Sequence, residues 1–351
     1  MRLEKRIQAF SELGKFLAQF SENKIEKNDS VKGHDIFFED FLEQSKNAHH
    51  HNGWFTEENM LFAFKNWADL LKTENLENWT AAYSLEKSKG KNIAVITAGN
   101  IPLVGFHDFL SVLISGNSIT VKQSSNDANL LPLFAKYLEF VEPDYKGKIS
   151  FTKDRIDQFD AVIATGSNNT ARYFDYYFGQ YPNIIRKNRN SVAVLSGEET
   201  KEDLKNLGED IFRYFGLGCR SVSKLFVPKN YNFDPFFQQI YHFSYLMEYK
   251  KYENNYTYNK AVYLMSKFQL LENGFLILKE DYGYSSPIGS LFYEYYETQE
   301  ELQIKLNSER ENIQCVVGNG QICDIPFGKT QTPSLNDYAD GIDTLDFLSK
   351  L

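Results

Sequence analysis

The sequence predicts an α/β protein with doubly wound strands, preceded by a helical N-terminal region. Three observations support this prediction. From residue 92 onward, short β-branched apolar runs alternate with turns and helical patterns, as in parallel strands covered by helices. The first ninety residues instead place apolar side chains at helical spacing. The length of 351 residues allows two or three domains with a sizeable core.

Composition excludes several classes of function. The net charge is −9, so no basic face is expected for nucleic acid or an anionic membrane surface. The most apolar stretch, 101–121, contains Pro102, His107 and Asp108, and it therefore predicts a buried helix and strand rather than a membrane span. The first ten residues contain no unbroken apolar run, so no signal peptide is predicted.

The cysteines are few and odd in number: Cys219, Cys315 and Cys323. This count argues against a disulfide framework and predicts a reducing, cytoplasmic compartment. At least one of the three thiols must then be free.

The N-terminal region is predicted to contain two amphipathic helices. The first has an apolar face that includes Ile7 and Phe10, and the second begins after Thr56 as its N-cap. Between them, His49–His51 are interpreted as a solvated loop, because three adjacent histidines do not converge on one metal ion without strong curvature. No metal is predicted.

The remaining elements define the predicted domains. Strands are expected at 92–97, 118–122, 160–165, 190–195, 224–227, 275–278 and 314–317. We predict a helical region at 1–90 packed on a cofactor-binding domain at 91–215, followed by a catalytic domain and tail at 216–351.

Two strand-to-helix turns carry residues that could take part in chemistry. Gly166 and Ser167 follow a strand and begin a helix, where backbone N–H groups could bind a phosphate. A strand-to-helix turn without a ligand is an equally good interpretation. Asn100 follows the strand at 92–97, and its carboxamide could donate to an oxyanion or merely cap the next helix. We interpret His107, on that helix, as a packed residue rather than a base.

Cys219 is the candidate nucleophile. It lies between Gly218 and Arg220, so a substrate has room beside the sulfur and a guanidinium is nearby to favour the thiolate. A buried, inert cysteine is the alternative. Cys315 lies in an apolar run and is predicted to be such a core thiol, whereas Cys323 has no evident role.

Five motifs occur in an order that resembles the aldehyde dehydrogenase superfamily, and most closely its LuxC-type acyl-CoA reductases. They are TAGNIP, GNSITVKQSS, ATGSNNTA, NSVAVL and GLGCRSVSKLFVP. The closing PFGKTQTPSLNDYADGIDTLDFL also resembles that branch, and the resemblance covers residues 54–351. It implies an aldehyde-dehydrogenase-like fold.

The resemblance also implies roles for individual residues. Cys219 would attack an acyl thioester and hold the acyl group, while Asn100 would steady the oxyanion together with the Cys219 backbone N–H. Lys122 would hold the adenosine ribose of a nicotinamide cofactor, and Gly166 and Ser167 would contact its pyrophosphate.

One departure from the family pattern concerns the catalytic base. Ordinary aldehyde dehydrogenases carry a glutamate before the strand that corresponds to NSVAVL, whereas 185–189 here contains no acid. Without a base to activate water, reduction or transfer to coenzyme A becomes the expected chemistry. The basic residues Arg186, Lys187 and Arg189 could face phosphates or form a solvated surface.

Two further departures concern the cofactor. Where NAD-preferring relatives often place an acid three residues after the lysine, this chain has Ser125, which permits NADPH without excluding NADH. The segment 284–287 ends in Pro287 without the glutamate that the resemblance leads us to expect four residues earlier, so the resemblance assigns no residue to hold the nicotinamide ribose.

The sequence therefore predicts an enzyme that reduces a long-chain acyl-CoA or acyl thioester to the aldehyde with NADPH. The alternatives are a short-chain CoA-acylating aldehyde dehydrogenase, an acyl-phosphate reductase, a non-catalytic subunit that binds an acyl carrier, and a thiol-dependent redox sensor. A homo-oligomer is expected, and the resemblance allows an acyl-activating synthetase as partner.

Overall fold

The computed structural model describes residues 1–21, 24–87 and 90–351. Its contacts divide into two compact units: Met1–Lys187 with Ser334–Leu351, and Asn188–Pro333. These limits differ from the predicted ones at 90/91 and 215/216. The N-terminal helices share one hydrophobic core with the strands at 92–96 and 118–122, so contacts do not separate them.

The N-terminal part of the first unit is mainly helical, as predicted. Its described elements are α1 (Leu3–Leu17), β1 (Phe20–Ser21), β2 (Lys24–Ile25), α2 (His34–His51), α3 (Glu57–Leu70) and α4 (Thr73–Thr80). The predicted apolar face of α1 is buried, with Phe10 fully enclosed. Thr56 caps α3, because its side chain accepts the backbone N–H of Asn59 at 3.3 Å.

The loop prediction for His49–His51 is wrong. These residues form the last turn of α2, although they remain exposed. The helix continues through them because Phe37, Phe41 and Ala48 bury one of its faces, and such packing outweighs weak helix propensity.

The second part of this unit is a parallel sheet covered by helices. Its elements are β3 (Asn92–Ile96), α5 (Phe106–Ile114), β4 (Ser118–Lys122), α6 (Leu130–Val141), β5 (Ile149–Thr152), β6 (Ala161–Thr165), α7 (Asn168–Phe178) and β7 (Asn183–Arg186). Within the described residues the strand order is β5-β4-β3-β6-β7, all parallel. The chain moves outward from β3 to β5 and then returns to β6 beside β3, which confirms the doubly wound prediction. Ligands of such sheets bind beyond the carboxyl ends of the strands, where the order reverses.

The second unit contains a mixed sheet. Its elements are β8 (Asn190–Val194), α8 (Lys201–Phe212), β9 (Val222–Pro228), α9 (Asp234–Ile240), α10 (Lys250–Met265), β10 (Leu270–Glu272), β11 (Ile277–Glu280), β12 (Ser290–Tyr296), α11 (Gln299–Ser308) and β13 (Ile313–Val317). The order is β10-β11-β12-β9-β8-β13, with only β10 antiparallel to its neighbour among the paired strands described. The run expected as a fourth strand of the cofactor domain is β8, which pairs with β9 and β13 in this sheet instead.

The segment after Pro333 returns to the first unit and ends in α12 (Thr344–Ser349). The Tyr338 hydroxyl accepts a hydrogen bond from Trp79 Nε1 at 2.8 Å. His107 Nε2 lies 3.0 Å from the carbonyl oxygen of Leu335, and the His107 ring packs on Trp79 and Tyr338. His107 is thus a packed residue, as predicted.

Across the described ranges, the structure contains no helix that combines the length and the apolar character needed to cross a bilayer.

Candidate active site

The turn that carries Asn100 is tightly packed against the turn that follows β4. Gly99 makes this approach feasible, because a Cβ there would lie 2.6 Å from the Ser124 hydroxyl oxygen. Asn52 joins both turns by donating from Nδ2 to the carbonyl oxygens of Gly99 at 3.3 Å and Asn126 at 3.4 Å. Asn100, itself partly buried, therefore sits on a turn with little freedom.

Asp127 is the buried carboxylate of this region. It accepts backbone N–H groups from Leu103 and Leu130, yet burial still raises its pKa to about 6. Leu103 has a φ of 59°, a left-handed conformation that costs a leucine roughly 1–2 kcal/mol. Asp127 thus anchors a strained residue three positions after Asn100.

The predicted cofactor residues lie on neighbouring turns of the same sheet edge. Lys122 is partly exposed at the end of β4, and Ser125 is exposed just beyond it. Gly166 and Ser167 follow β6, where Ser167 caps α7 by accepting the backbone N–H of Thr170 at 3.3 Å. The structure therefore brings these residues and Asn100 to the carboxyl ends of β3, β4 and β6.

Arg186 does not belong to a solvated basic surface. It is 4% exposed at the end of β7, ion-paired with Asp108, and it donates to the Thr344 hydroxyl at 2.9 Å. Its charge is paired inside the first unit, and of the three predicted basic residues only Lys187 is exposed, while Arg189 is partly buried.

In the second unit, Cys219 is exposed on a turn between α8 and β9. The turn is closed by a hydrogen bond from Ser221 N–H to the Gly218 carbonyl at 3.0 Å. It is preceded by three consecutive residues with positive φ: Tyr214 at 55°, Phe215 at 58° and Gly216 at 75°. Such strain persists only where the surrounding packing enforces it, and it is concentrated at functional sites.

A buried hydroxyl and a buried thiol lie beneath this turn. Ser191, at the start of β8, donates from Oγ to the carbonyl oxygen of Cys219 at 3.0 Å. The same Oγ lies 2.9 Å from the Sγ of Cys315. Cys315 is 2% exposed, which confirms the predicted core thiol, and burial raises its pKa to about 11.

Asp210 holds a second segment beside the same turn. Its carboxylate accepts from the backbone N–H of Gly328 at 2.6 Å and from the N–H and hydroxyl of Thr330 at 3.0 and 2.8 Å. Burial raises the Asp210 pKa to about 6. The next residue, Gln331, donates to the Ser221 hydroxyl oxygen at 3.2 Å, so this segment reaches the residue two positions after Cys219.

The loop that ends at Pro287 is fixed by strand β9. The Ser223 hydroxyl donates to the Tyr284 carbonyl at 2.6 Å, and Lys224 Nζ donates to the Tyr282 carbonyl at 3.0 Å. Lys224 is fully buried and pairs with Glu294 at 2.6 Å. Burial lowers the pKa of this lysine.

Four residues that hold the turns around Asn100 and Cys219 were not predicted from the sequence: Asp127, Ser191, Asp210 and Gln331. Each acts on a residue distant along the chain or on a neighbouring turn, and no local pattern indicates this. Within residues 1–21, 24–87 and 90–351, no three His, Cys, Asp or Glu side chains are grouped so that they could hold a metal ion.

Comparison with solved structures establishes the fold. Aldehyde dehydrogenase 21 from Physcomitrella patens, solved with its reaction product succinate, superposes with a TM-score of 0.66 at 12% identity, over 100% of this chain and 84% of that one. An aldehyde dehydrogenase from Bacillus cereus, solved with NAD+, gives a TM-score of 0.59 at 13% identity, over 92% and 72%. The predicted aldehyde-dehydrogenase-like fold is confirmed.

Sequence comparison finds a long-chain acyl-protein thioester reductase from Photorhabdus laumondii. It is 24% identical over 157 residues, which are 40% of this chain and 32% of the relative. The match thus spans about a third of the relative's length. The model of the acyl-CoA reductase (LuxC) family matches residues 57–239, more than half of the chain. The predicted family is therefore confirmed: this protein belongs to the LuxC family of acyl-CoA reductases.

Proposed function

We propose that this protein reduces an acyl thioester to an aldehyde with NAD(P)H, through a covalent thioester on Cys219. The observation that carries the proposal is the environment of that thiol. Cys219 is exposed on a strained, anchored turn, whereas burial raises the pKa of both Cys315 and Cys323 to about 11. Of the three thiols, only Cys219 is both accessible and held in place.

The reaction proceeds in two steps. The Cys219 sulfur attacks the carbonyl carbon, a C–S bond forms, and the C–S bond to the carrier breaks as the carrier thiol leaves with a proton. Hydride then adds to the carbonyl carbon of the acyl-enzyme, the Cys219 thiolate departs, and the aldehyde is released. Family resemblance supports Asn100 as the donor to the oxyanion in both steps.

The first sheet fits a nicotinamide cofactor, which would supply the hydride. Its strand order reverses beside β3, and the adjacent turns present Lys122, Gly166 and the capped start of α7. Ser125, exposed and uncharged, leaves room for a ribose 2′-phosphate. We therefore propose NADPH as the preferred cofactor, with NADH also accepted.

The segment before β8 supports reduction over hydrolysis. It contains no carboxylate, and Arg186 within it is committed to Asp108. Nothing in this segment can therefore activate water against the acyl-enzyme as a glutamate would.

The substrate follows from the family and from the Photorhabdus laumondii relative, which is named for long-chain acyl-protein thioesters. We propose a long-chain acyl group carried by coenzyme A or by an acyl carrier. A synthetase partner, a homo-oligomer and a cytoplasmic location remain predictions.

The deciding experiment mixes the protein with tetradecanoyl-CoA without cofactor and measures its intact mass beside Cys219→Ala. We expect an acyl adduct on the wild type only, which NADPH discharges to the aldehyde. Cys323→Ala is the matched control and should acylate normally.

Other outcomes would select other functions. Activity that peaks with short acyl groups or acyl phosphate would replace the long-chain assignment. No adduct with any donor, together with retained binding of acyl-CoA, would contradict an acyl-enzyme and favour a non-catalytic binding subunit.

A further inference from the structure

The buried hydroxyl of Ser191 connects Cys219 to Cys315. Ser191 is fully buried, with Oγ 3.0 Å from the Cys219 carbonyl oxygen and 2.9 Å from the Cys315 sulfur. Ser191 lies on β8 and Cys315 on β13, adjacent parallel strands of the second sheet. The two side chains therefore approach the Cys219 turn from rigid elements.

The number of available protons fixes which group donates in each of these two hydrogen bonds. A serine hydroxyl has one proton and a carbonyl oxygen can only accept, so the Ser191 hydroxyl donates its hydrogen bond to the Cys219 carbonyl oxygen. Ser191 must then accept from the S–H of Cys315. The order of donation is Cys315 to Ser191 to Cys219, and it requires Cys315 to remain a protonated thiol.

Burial supplies that condition. It raises the pKa of Cys315 to about 11, so this thiol keeps its proton throughout the neutral range. Hydrogen bonds in such a chain polarise and strengthen one another in a low-dielectric interior.

This hydrogen-bond chain fixes the backbone of the exposed Cys219. Since the peptide group is planar, anchoring the Cys219 carbonyl towards Ser191 directs the N–H of Arg220 to the opposite side. A second anchor is the bond from Ser221 N–H to the Gly218 carbonyl. With both carbonyls held, the Cα of Cys219, from which its thiol projects, has little freedom to move.

We propose that Ser191 and Cys315 are positioning residues that hold Cys219 in its reactive orientation through a directed hydrogen-bond chain. This inference rests on the proposed function of Cys219. Both side chains are buried, so they act on Cys219 through its backbone. Their contribution is preorganisation, since small displacements of a reacting group cost up to about 100-fold in rate.

The test compares Ser191→Ala, Cys315→Ala and Cys315→Ser, with Ser290→Ala and Cys323→Ala as controls. Ser290 is a buried serine of the same sheet, on β12, and Cys323 is a half-buried thiol. We expect Ser191→Ala and Cys315→Ala to lower kcat about 10- to 100-fold with KM changed less than twofold. Cys315→Ser keeps an O–H donor and should restore most of kcat, and both controls should resemble the wild type.

A second measurement separates positioning from activation of the thiol. Iodoacetamide alkylation of Cys219, followed by peptide mass spectrometry across pH, should keep the wild-type midpoint in all variants. Wild-type kcat in Ser191→Ala, or equal loss in Cys315→Ser and Cys315→Ala, would overturn the inference. If Ser191→Ala fails to fold, the two Cys315 variants decide. Failure of the proposed function is distinguishable, because the wild type itself would then form no acyl adduct, or Cys219→Ala would remain active.

Discussion

The central strands of the two sheets bury different kinds of side chain. In the first sheet, the residues buried on β3, β4 and β6 are all apolar. In the second sheet, Ser191, Lys224, Lys279 and Ser290 lie at buried positions on the strands themselves. Burying polar groups costs free energy unless they are paired, and the pairings of Ser191, Lys224 and Lys279 each also involve a loop or a turn.

This difference shows where each sheet is sensitive. The central strands of the first sheet are apolar inside, and its candidate site residues, such as Asn100 and Gly166, lie on turns beyond the strand ends. Its edge strand β7 ends in the buried, ion-paired Arg186. The second sheet transmits polar contacts from its interior to its loops, as from Ser191 to Cys219 and from Lys224 to Tyr282. Substitution of Ser191 or Lys224 should therefore alter loop geometry, whereas substitution of the buried apolar residues of β3, β4 and β6 should alter only stability.

The largest expected effect is that of Lys224→Ala. Lys224 pairs with Glu294 and lies over the rings of Phe226 and Tyr284, 5.0 and 4.8 Å from their centroids. The substitution leaves Glu294 with its second partner, Lys305 at 3.0 Å, but it removes a fully buried side chain and the donor to the Tyr282 carbonyl. We therefore expect the free energy of unfolding to fall by roughly 4 kcal/mol. Urea unfolding should be compared with Ile163→Val in the first sheet, which should cost about 1 kcal/mol. Equal losses would remove the contrast between the sheets.

The next effect concerns Asp127, at the edge of the first sheet. Its folded-state pKa of about 6 lies above the ordinary 3.8, so the folded state binds more protons between these values. Stability must then fall as pH rises from about 4 to 6. We expect the wild type to lose about 3 kcal/mol relative to Asp127→Asn across this window, with a constant difference above pH 7.

Unfolding free energies of both proteins at pH 4, 5, 6 and 7 test this sign. Asp210, whose pKa is also raised to about 6, is present in both proteins and cancels in the difference. A pH-independent difference would mean that Asp127 is not the titrating group.

The smallest effect compares two helix ends. After α5, Gly116 N–H bonds to the Leu113 carbonyl and Asn117 N–H to that of Val112, with Gly116 at a φ of 91°. After α10 the same pair of bonds occurs with Lys267 at the left-handed position, at a φ of 59°. Both are Schellman motifs, which favour glycine there.

Lys267→Gly should therefore raise the free energy of unfolding by about 1 kcal/mol, and Gly116→Ala should lower it by about the same amount. Thermal unfolding of both variants measures this. A shift of the same sign in both would contradict the shared motif.

Sequence patterns predicted where strands occur better than they predicted which strands pair with each other. The NSVAVL run is a strand, but its neighbours are β9, the next strand along the chain, and β13, near the end of the second unit. The residues of the run itself do not show that it leaves the first sheet. Arg186 shows the same limit for charge. Its partners Asp108 and Thr344 are 78 and 158 residues away, and a local basic cluster therefore suggested a surface.

The site residues divide in the same way. The position of Asn100 and Gly166 on turns after strands was predictable, because such turns follow recognisable apolar runs. Their supports were not, since Asp127 and Ser191 act through backbone groups whose proximity depends on the finished fold.

The return of residues 334–351 to the first unit has a consequence for biosynthesis. Trp79 and His107 leave the ribosome well before Tyr338 and Leu335, which they contact in the finished molecule. At ordinary translation rates, residues 188–333 take about 7 to 30 s to make. During that interval the nascent first unit exposes the surface on which α12 will later pack, so its folding is completed only when this late segment emerges.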